Sequence, residues 1–131
     1  MKPKILIVED NITQQRIMSV LAERFGLSPE VVGSGTQAVV AIQNQQYQLV
    51  FMDWRMPAMD GIECSKKIRE LEANSGRHTP IIAVTAQDEE AIVRECLQNG
   101  MDGFLSKPFT VEQFGAIIDD WLNPQEQRPS A

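Results

Sequence analysis

The chain has 131 residues, 43% of them hydrophobic, and a formal charge of −6 from 12 basic and 18 acidic side chains. That is enough apolar material for one core and too little for two domains of ordinary size, and the acidity removes the general attraction to nucleic-acid phosphates or anionic lipid. No apolar run approaches the roughly 20 residues of a membrane span, and the opening "MKPKILIVED" turns acidic before a signal-peptide core can form, so the sequence reads as soluble and cytoplasmic.

The first element is "KILIVE" (4–9), a nearly continuous apolar run that stops at an acid, the pattern of a strand covered on both faces. Ile17, Val20, Leu21 and Phe25 follow with helical period, and Gly26 stands where a helix exits through a left-handed backbone. "EVVG" (30–33) is a weaker strand, and Ala38, Val39 and Ile42 mark a second helix. "LVFMD" (49–53) is the best buried strand; after the Met56-Pro57 turn, Gly61 gives backbone freedom to open a third helix marked by Ile68 and Leu71, with Gly76 near its end.

"PIIAVT" (80–85) is the fourth strand, then Ile92, Val93 and Leu97 mark a helix that ends near Gly100. "GFLSK" (103–107) leads to a last helix carrying Phe114, Ile117, Ile118 and Trp121, opened by a capping box of Thr110 and Gln113. His78, in the polar "NSGRHTP" loop, reads as a solvated residue, and Cys64 and Cys96 belong to no Cys-x-x-Cys or His cluster, which argues against zinc and against a disulfide scaffold. The polar, proline-containing end assigns residues 1–123 to one domain and 124–131 to a flexible C-terminal tail.

Strand and helix thus alternate five times, which predicts an α/β protein: a (βα)5 flavodoxin-like three-layer sandwich around a parallel sheet of order 2-1-3-4-5, with right-handed crossovers. In such a sheet the site lies beyond the carboxyl ends of the strands, where the winding reverses between the first and third. Glu9, Asp10, Asp53, Thr85 and Lys107 fall at those ends. Three crowded carboxylates repel, and the remedies are raised pKa values or a divalent cation with hard oxygen ligands, for which magnesium fits. Lys107 can compensate the charge of a phosphoryl group, Thr85 can donate to one of its oxygens, and Asp53 is the nucleophile that would form an acyl phosphate.

Four segments, "VEDN", "MDWRMPAMDG", "VTA" and "LSKPF", stand in an order and spacing that resembles the receiver domain of two-component response regulators, over residues 3–123. The resemblance implies that Asp53 takes phosphate from a phosphohistidine, and that Asp10, Asp53 and the backbone carbonyl of Arg55 hold Mg²⁺ (Mn²⁺ as substitute), with Glu9 reaching the metal through water. It further implies that Thr85 and Lys107 contact the phosphoryl group, that Thr85 and the aromatic Phe104 form the switch, and that the Lys107-Pro108 bond is cis. The surface of the fourth helix, fifth strand and fifth helix would change on phosphorylation, and a weak dimer of this otherwise monomeric protein would use it. Arg55 and Gln87 flank the site without adding a carboxylate and are expected to tune the access of water.

The partner implied is a histidine kinase or a histidine phosphotransfer domain, docking on Thr13, Gln14 and Ile17 with Pro108 and Phe109, and no direct nucleic-acid or membrane contact is expected. Aspartate-nucleophile phosphohydrolases place an Asp-x-Asp at the end of the first strand, where this chain has "VEDN". No Gly-rich phosphate loop supports nucleotide binding, so the expected role is a phosphoacceptor signalling domain, whose only chemistry is self-catalysed phosphotransfer and autodephosphorylation. "ECLQNGMDGFLSKPF" and "IRELE" resemble the receivers of hybrid histidine kinases more than those fused to DNA-binding domains.

Overall fold

A computed structural model describes residues 2–86 and 90–123. Five strands, β1 (Lys4–Val8), β2 (Ser28–Val32), β3 (Leu49–Asp53), β4 (Ile81–Ala86) and β5 (Gly103–Lys107), alternate with five helices, α1 (Ile12–Arg24), α2 (Gly35–Asn44), α3 (Gly61–Glu72), α4 (Glu90–Gln98) and α5 (Val111–Leu122). All strand pairs are parallel, in the order β2-β1-β3-β4-β5. The alternation and the winding are those the sequence predicts, with strand limits shifted by one or two residues.

Period-two alternation splits the apolar runs into two cores. Leu6, Val8, Val50, Met52, Ile81 and Ala83 face Ala38, Ala41 and Ile42 of α2, Ile62, Cys64 and Ile68 of α3, and Cys96 of α4. Ile5, Ile7, Leu49, Phe51, Ile82 and Val84 face Met18, Leu21 and Ala22 of α1 and Phe114 and Ile118 of α5. Phe114 lies at the centre of the second layer, its ring centroid 5.0 Å from that of Phe51 and 6.0 Å from that of Phe109. Every residue of β3 is buried, whereas β2 is only half-buried throughout and carries Pro29, which only an edge strand accommodates readily.

The helix faces depart from the sequence reading in three places. In α1, Leu21 is buried, but Ile17 and Val20 are exposed. Met18 and Ala22 turn inward in their place, because the helix carries two apolar stripes and only one meets the sheet. Leu71 of α3 and Leu97 of α4 are exposed as well; their helices bury Cys64, Ser65 and Ile68, and Cys96, instead. Gly26, Gly76 and Gly100 all adopt positive φ beyond the ends of their helices, and the Thr110–Gln113 capping box opens α5. Gly61 has an ordinary backbone, so conformational freedom is not its role.

A polar network at the amino ends of β4 and β5 went unread in the sequence. Arg69 donates to Glu72 Oε1 at 2.6 Å, to Asp102 Oδ2 at 2.7 Å, and to the carbonyls of Thr79 and Gly100 at 2.9 and 2.8 Å. Asp102 also accepts from the Ile81 N–H at 2.8 Å, and its other oxygen lies 2.6 Å from His78 Nε2, so that histidine is tethered to the network although its side chain is largely exposed. Burial raises the Glu72 carboxyl pKa, but bonds from the Thr79 hydroxyl and N–H together with Arg69 outweigh it and hold the group below its ordinary value.

Candidate functional site

The carboxyl end of the sheet gathers the predicted residues. One carboxylate oxygen from each of Glu9, Asp10 and Asp53 falls within 4.8 Å of the others. Glu9 is 1% exposed and Asp53 7%, while Asp10 faces solvent. Central strands β1 and β3 pair side by side, so Glu9, just beyond β1, and Asp53, at the end of β3, emerge at the same edge of the sheet.

Several donors hold the acids. The Asn11 N–H donates to Glu9 Oε2 at 3.1 Å, the Arg55 N–H to Asp53 Oδ1 at 3.1 Å, and Lys107 Nζ lies 3.4 Å from Glu9 Oε1. Asn11 also caps α1 through the Gln14 N–H, so the β1–α1 corner and the helix start are one rigid unit. Among the described residues, the buried Thr85 hydroxyl has no hydrogen-bond partner, which leaves a donor at the end of β4 for an incoming oxygen. Arg55 is exposed and its guanidinium lies 5.4 Å from the centroid of the Trp54 ring. Gln87, the other flanking residue, lies outside the described residues.

The Asp53 carboxyl is pushed up from 3.8 to about 7, first by burial and then by the charge of Glu9, against the lowering pull of Lys107 and the Arg55 N–H. A corner that makes a buried carboxylate keep its proton near neutrality is short of positive charge. Three clustered carboxylates, two of them buried, with one ammonium beside them among the described residues, fit the hard-oxygen donor set of a magnesium ion.

The β3–α3 loop is closed by a main-chain bond from the Gly61 N–H to the Trp54 carbonyl at 2.8 Å. A Cβ at position 61 would stand 2.6 Å from Trp54 Cα and 2.7 Å from the Asp53 carbonyl oxygen, so glycine is required here for close approach of two backbones. Gly61→Ala is expected to lower stability by about 1–3 kcal/mol, as overpacking does, and to displace the carbonyl side of Asp53. Urea denaturation of the variant beside the parent checks this, and an unchanged midpoint would mean that the loop yields freely.

Beside the acidic cleft runs an apolar groove of about 530 Å³, lined by Gln14, Arg16, Ile17, Val20, Leu21, Lys107, Pro108, Phe109 and Val111. Ile17 and Val20, missing from the core, are its floor on the α1 side. Gln14, Ile17, Pro108 and Phe109 are thus brought together as the sequence predicts; Thr13 is exposed on the first turn of α1 but does not line the groove. Gln14 and Lys107 belong to both groove and cleft. The Lys107-Pro108 peptide is cis, and Phe104 points out of β5 with 47% exposure.

The family profile of the response regulator receiver domain matches residues 5–119, and the chain belongs to that family. It is therefore a signalling domain of two-component phosphorelays. It is 40% identical over 121 residues, 88% of its length, to the hybrid signal transduction histidine kinase K of Dictyostelium discoideum, of which it covers 10%. It is 34% identical over 129 residues, 98% of its length, to the sensor protein GacS of Pseudomonas syringae pv. syringae, of which it covers 14%. The chain thus spans a small fraction of the curated relatives it matches.

Among solved structures, it is similar to the receiver domain of the sensor histidine kinase PA1611 from Pseudomonas aeruginosa, which has a magnesium ion coordinated in its active-site cleft. The TM-score is 0.84 and the identity 34%, over 94% of this chain and 99% of that one. It is also similar to a structure from Saccharomyces cerevisiae, the histidine phosphotransfer protein Ypd1 in complex with the receiver domain of its downstream response regulator Ssk1. There the TM-score is 0.86 and the identity 30%, over 95% of this chain and 91% of that one. Among the described residues no helix is long and apolar enough to cross a membrane.

Proposed function

We propose that this chain accepts a phosphoryl group on Asp53 from the phosphohistidine of a histidine kinase or histidine phosphotransfer domain. The observation that carries the reading is the convergence of Glu9, Asp10 and Asp53 within 4.8 Å, with Lys107 held 3.4 Å from Glu9. Asp10, Asp53 and the Arg55 backbone carbonyl would hold Mg²⁺ or Mn²⁺, with Glu9 one water away. When bound, the metal neutralises charge on the phosphoryl oxygens.

An Asp53 carboxylate oxygen attacks phosphorus, the P–N bond to the donor imidazole breaks, and its electron pair stays on the imidazole nitrogen. Lys107 offsets negative charge on the transferring group, and the Thr85 hydroxyl donates to one of its oxygens. The product is an acyl phosphate that water can later hydrolyse, with Arg55 at the rim tuning that access.

The switch is a population shift in which Thr85, engaged by the phosphoryl oxygens, vacates space for Phe104 to turn inward from its exposed position on β5. That rearranges the α4–β5–α5 surface, the reading surface and the place where a weak dimer of this monomer would form. The donor docks on the groove, which adjoins the cleft through Gln14 and Lys107 and offers Ile17, Pro108 and Phe109 as apolar contacts, with Thr13 at its edge. The receiver occupies residues 1–123 and acts in the cytoplasm, without contact to nucleic acid.

Incubation with acetyl phosphate or phosphoramidate and Mg²⁺ is expected to add one phosphoryl group to the intact mass. Asp53→Asn is expected to add none, and chelation to suppress labelling of the parent. Equal labelling of the Asn variant would overturn the assignment of the acceptor.

A further inference from the structure

We infer that Gln15 is a positioning residue for the divalent-cation corner, acting through the peptide carbonyl of Glu9; this rests on the metal reading of that corner. The Gln15 side-chain amide donates to the Glu9 carbonyl oxygen at 2.6 Å. Glu9 lies just beyond β1, where its N–H still pairs with the Val32 carbonyl at 3.1 Å. β2 ends at Val32, so the parallel ladder stops before a backbone donor can meet the Glu9 carbonyl. Gln15 supplies that donor from the first turns of α1.

The bonded carbonyl belongs to the peptide that joins Glu9 to Asp10. Its orientation sets the direction in which both carboxylates leave the chain, and the Asn11 N–H on Glu9 Oε2 fixes only the far end of one of them. With Gln15 in place, Glu9 is held through both of its main-chain groups, its N–H by Val32 and its carbonyl, in the peptide shared with Asp10, by α1. Without it, the Glu9 carbonyl loses its side-chain donor, Asn11 is left to hold the corner, and the carboxylates can shift apart, as their mutual repulsion favours. Groups that orient ligands in this way typically alter metal affinity 10–100-fold when removed.

A neighbouring glutamine that also bonds the main chain of a strand-end loop, in the opposite direction, supplies a control. Gln37 Oε1 accepts from the Gly33 N–H at 2.7 Å, on the adjacent β2–α2 loop, and makes no bond to Glu9. The test measures Mn²⁺ affinity of the intact chain from the free-ion electron paramagnetic resonance signal, for the parent, Gln15→Met and Gln37→Met, with the urea midpoint recorded for each. Methionine keeps the approximate length of the side chain and removes the donor at position 15 and the acceptor at position 37.

The expected result is Mn²⁺ binding weakened about tenfold in Gln15→Met at a urea midpoint no lower than that of Gln37→Met, whose affinity stays within twofold of the parent. Parental affinity in Gln15→Met, or an equal loss in Gln37→Met, would overturn the proposal in favour of general loosening of the loop. A parent protein that binds no Mn²⁺ would remove the metal reading itself, and this proposal with it; a parent that binds, with Asp10→Asn abolishing binding, separates the two.

Discussion

In chelator-treated protein, stability is expected to fall as pH rises from about 4 through 7, and Asp53→Asn is expected to remove most of that fall. The Asp53 carboxyl titrates at 3.8 in an ordinary setting and at about 7 in the folded chain, so over that interval the native state keeps a proton that the unfolded state releases. Raising the pH therefore favours unfolding, and the contribution is fully present below the lower value and gone above the higher one. At one pKa unit per 1.36 kcal/mol, and allowing for the partial opening of the cleft to water, Asp53→Asn should exceed the parent by about 3 kcal/mol at pH 8 and by almost nothing at pH 4.

Urea titrations at a series of pH values check this, since the midpoint reports stability directly. Millimolar Mg²⁺ should narrow the gap by stabilising the parent more than the variant, because a ligand that binds the native state shifts the equilibrium toward it. Parallel pH profiles for the two proteins would show that Asp53 is not the strained group.

The second large effect is expected at the other end of the sheet. Arg69→Met should destabilise the fold by about 3 kcal/mol, at the lower end of the cost of removing one partner from a buried ion pair. The guanidinium bridges Glu72 and Asp102, whose side chains are 7% and 17% exposed, and ties α3 to the loops before β4 and β5. Both carboxylates keep some donors without it, Glu72 from Thr79 and Asp102 from Ile81, which is why the loss is not larger.

The pH dependence has the opposite sign to that of Asp53. Glu72 is held below its ordinary 4.5, so its contribution is present above that value and is lost as pH falls through the lower folded one. Arg69→Met should flatten that acid limb while leaving the limb near neutrality, set by Asp53, in place. Urea midpoints between pH 3 and pH 8 separate the two, and an acid limb as steep as in the parent would assign it to other carboxylates.

These two carboxylate clusters also show what a sequence discloses. Glu9, Asp10, Asp53, Thr85 and Lys107 were legible because each ends an apolar run, and a parallel sheet of order 2-1-3-4-5 brings such ends together. The Arg69 network was not, since Arg69 and Asp102 lie 33 residues apart and each reads as an ordinary surface charge. Gln15 was missed for a related reason: what it does depends on where the β1–β2 ladder stops, a fact of register with no residue type attached.

The helices were legible as elements and less so as faces. Apolar periodicity announces that a side will be covered, and in α1 two sides qualify. The sheet took Met18 and Ala22 and left Ile17 and Val20 to the groove. Leu71 and Leu97 were assigned inward because Leu usually is, while small Cys64 and Cys96 are the residues that fit against the close-packed sheet.

The Glu9–Lys107 ion pair joins residues 98 positions apart, from a central strand and from the edge strand that ribosomes deliver last. During synthesis Glu9, Asp10 and Asp53 are all made before Lys107. Only when β5 docks does Lys107 arrive to offset the repulsion. A nascent chain, or one from which the β5 edge has peeled away, carries the acidic corner without its counter-charge. The charge balance of the corner is in this way tied to completion of the fold, and a chain that lacks its last two elements has the three acids without the ammonium that offsets them.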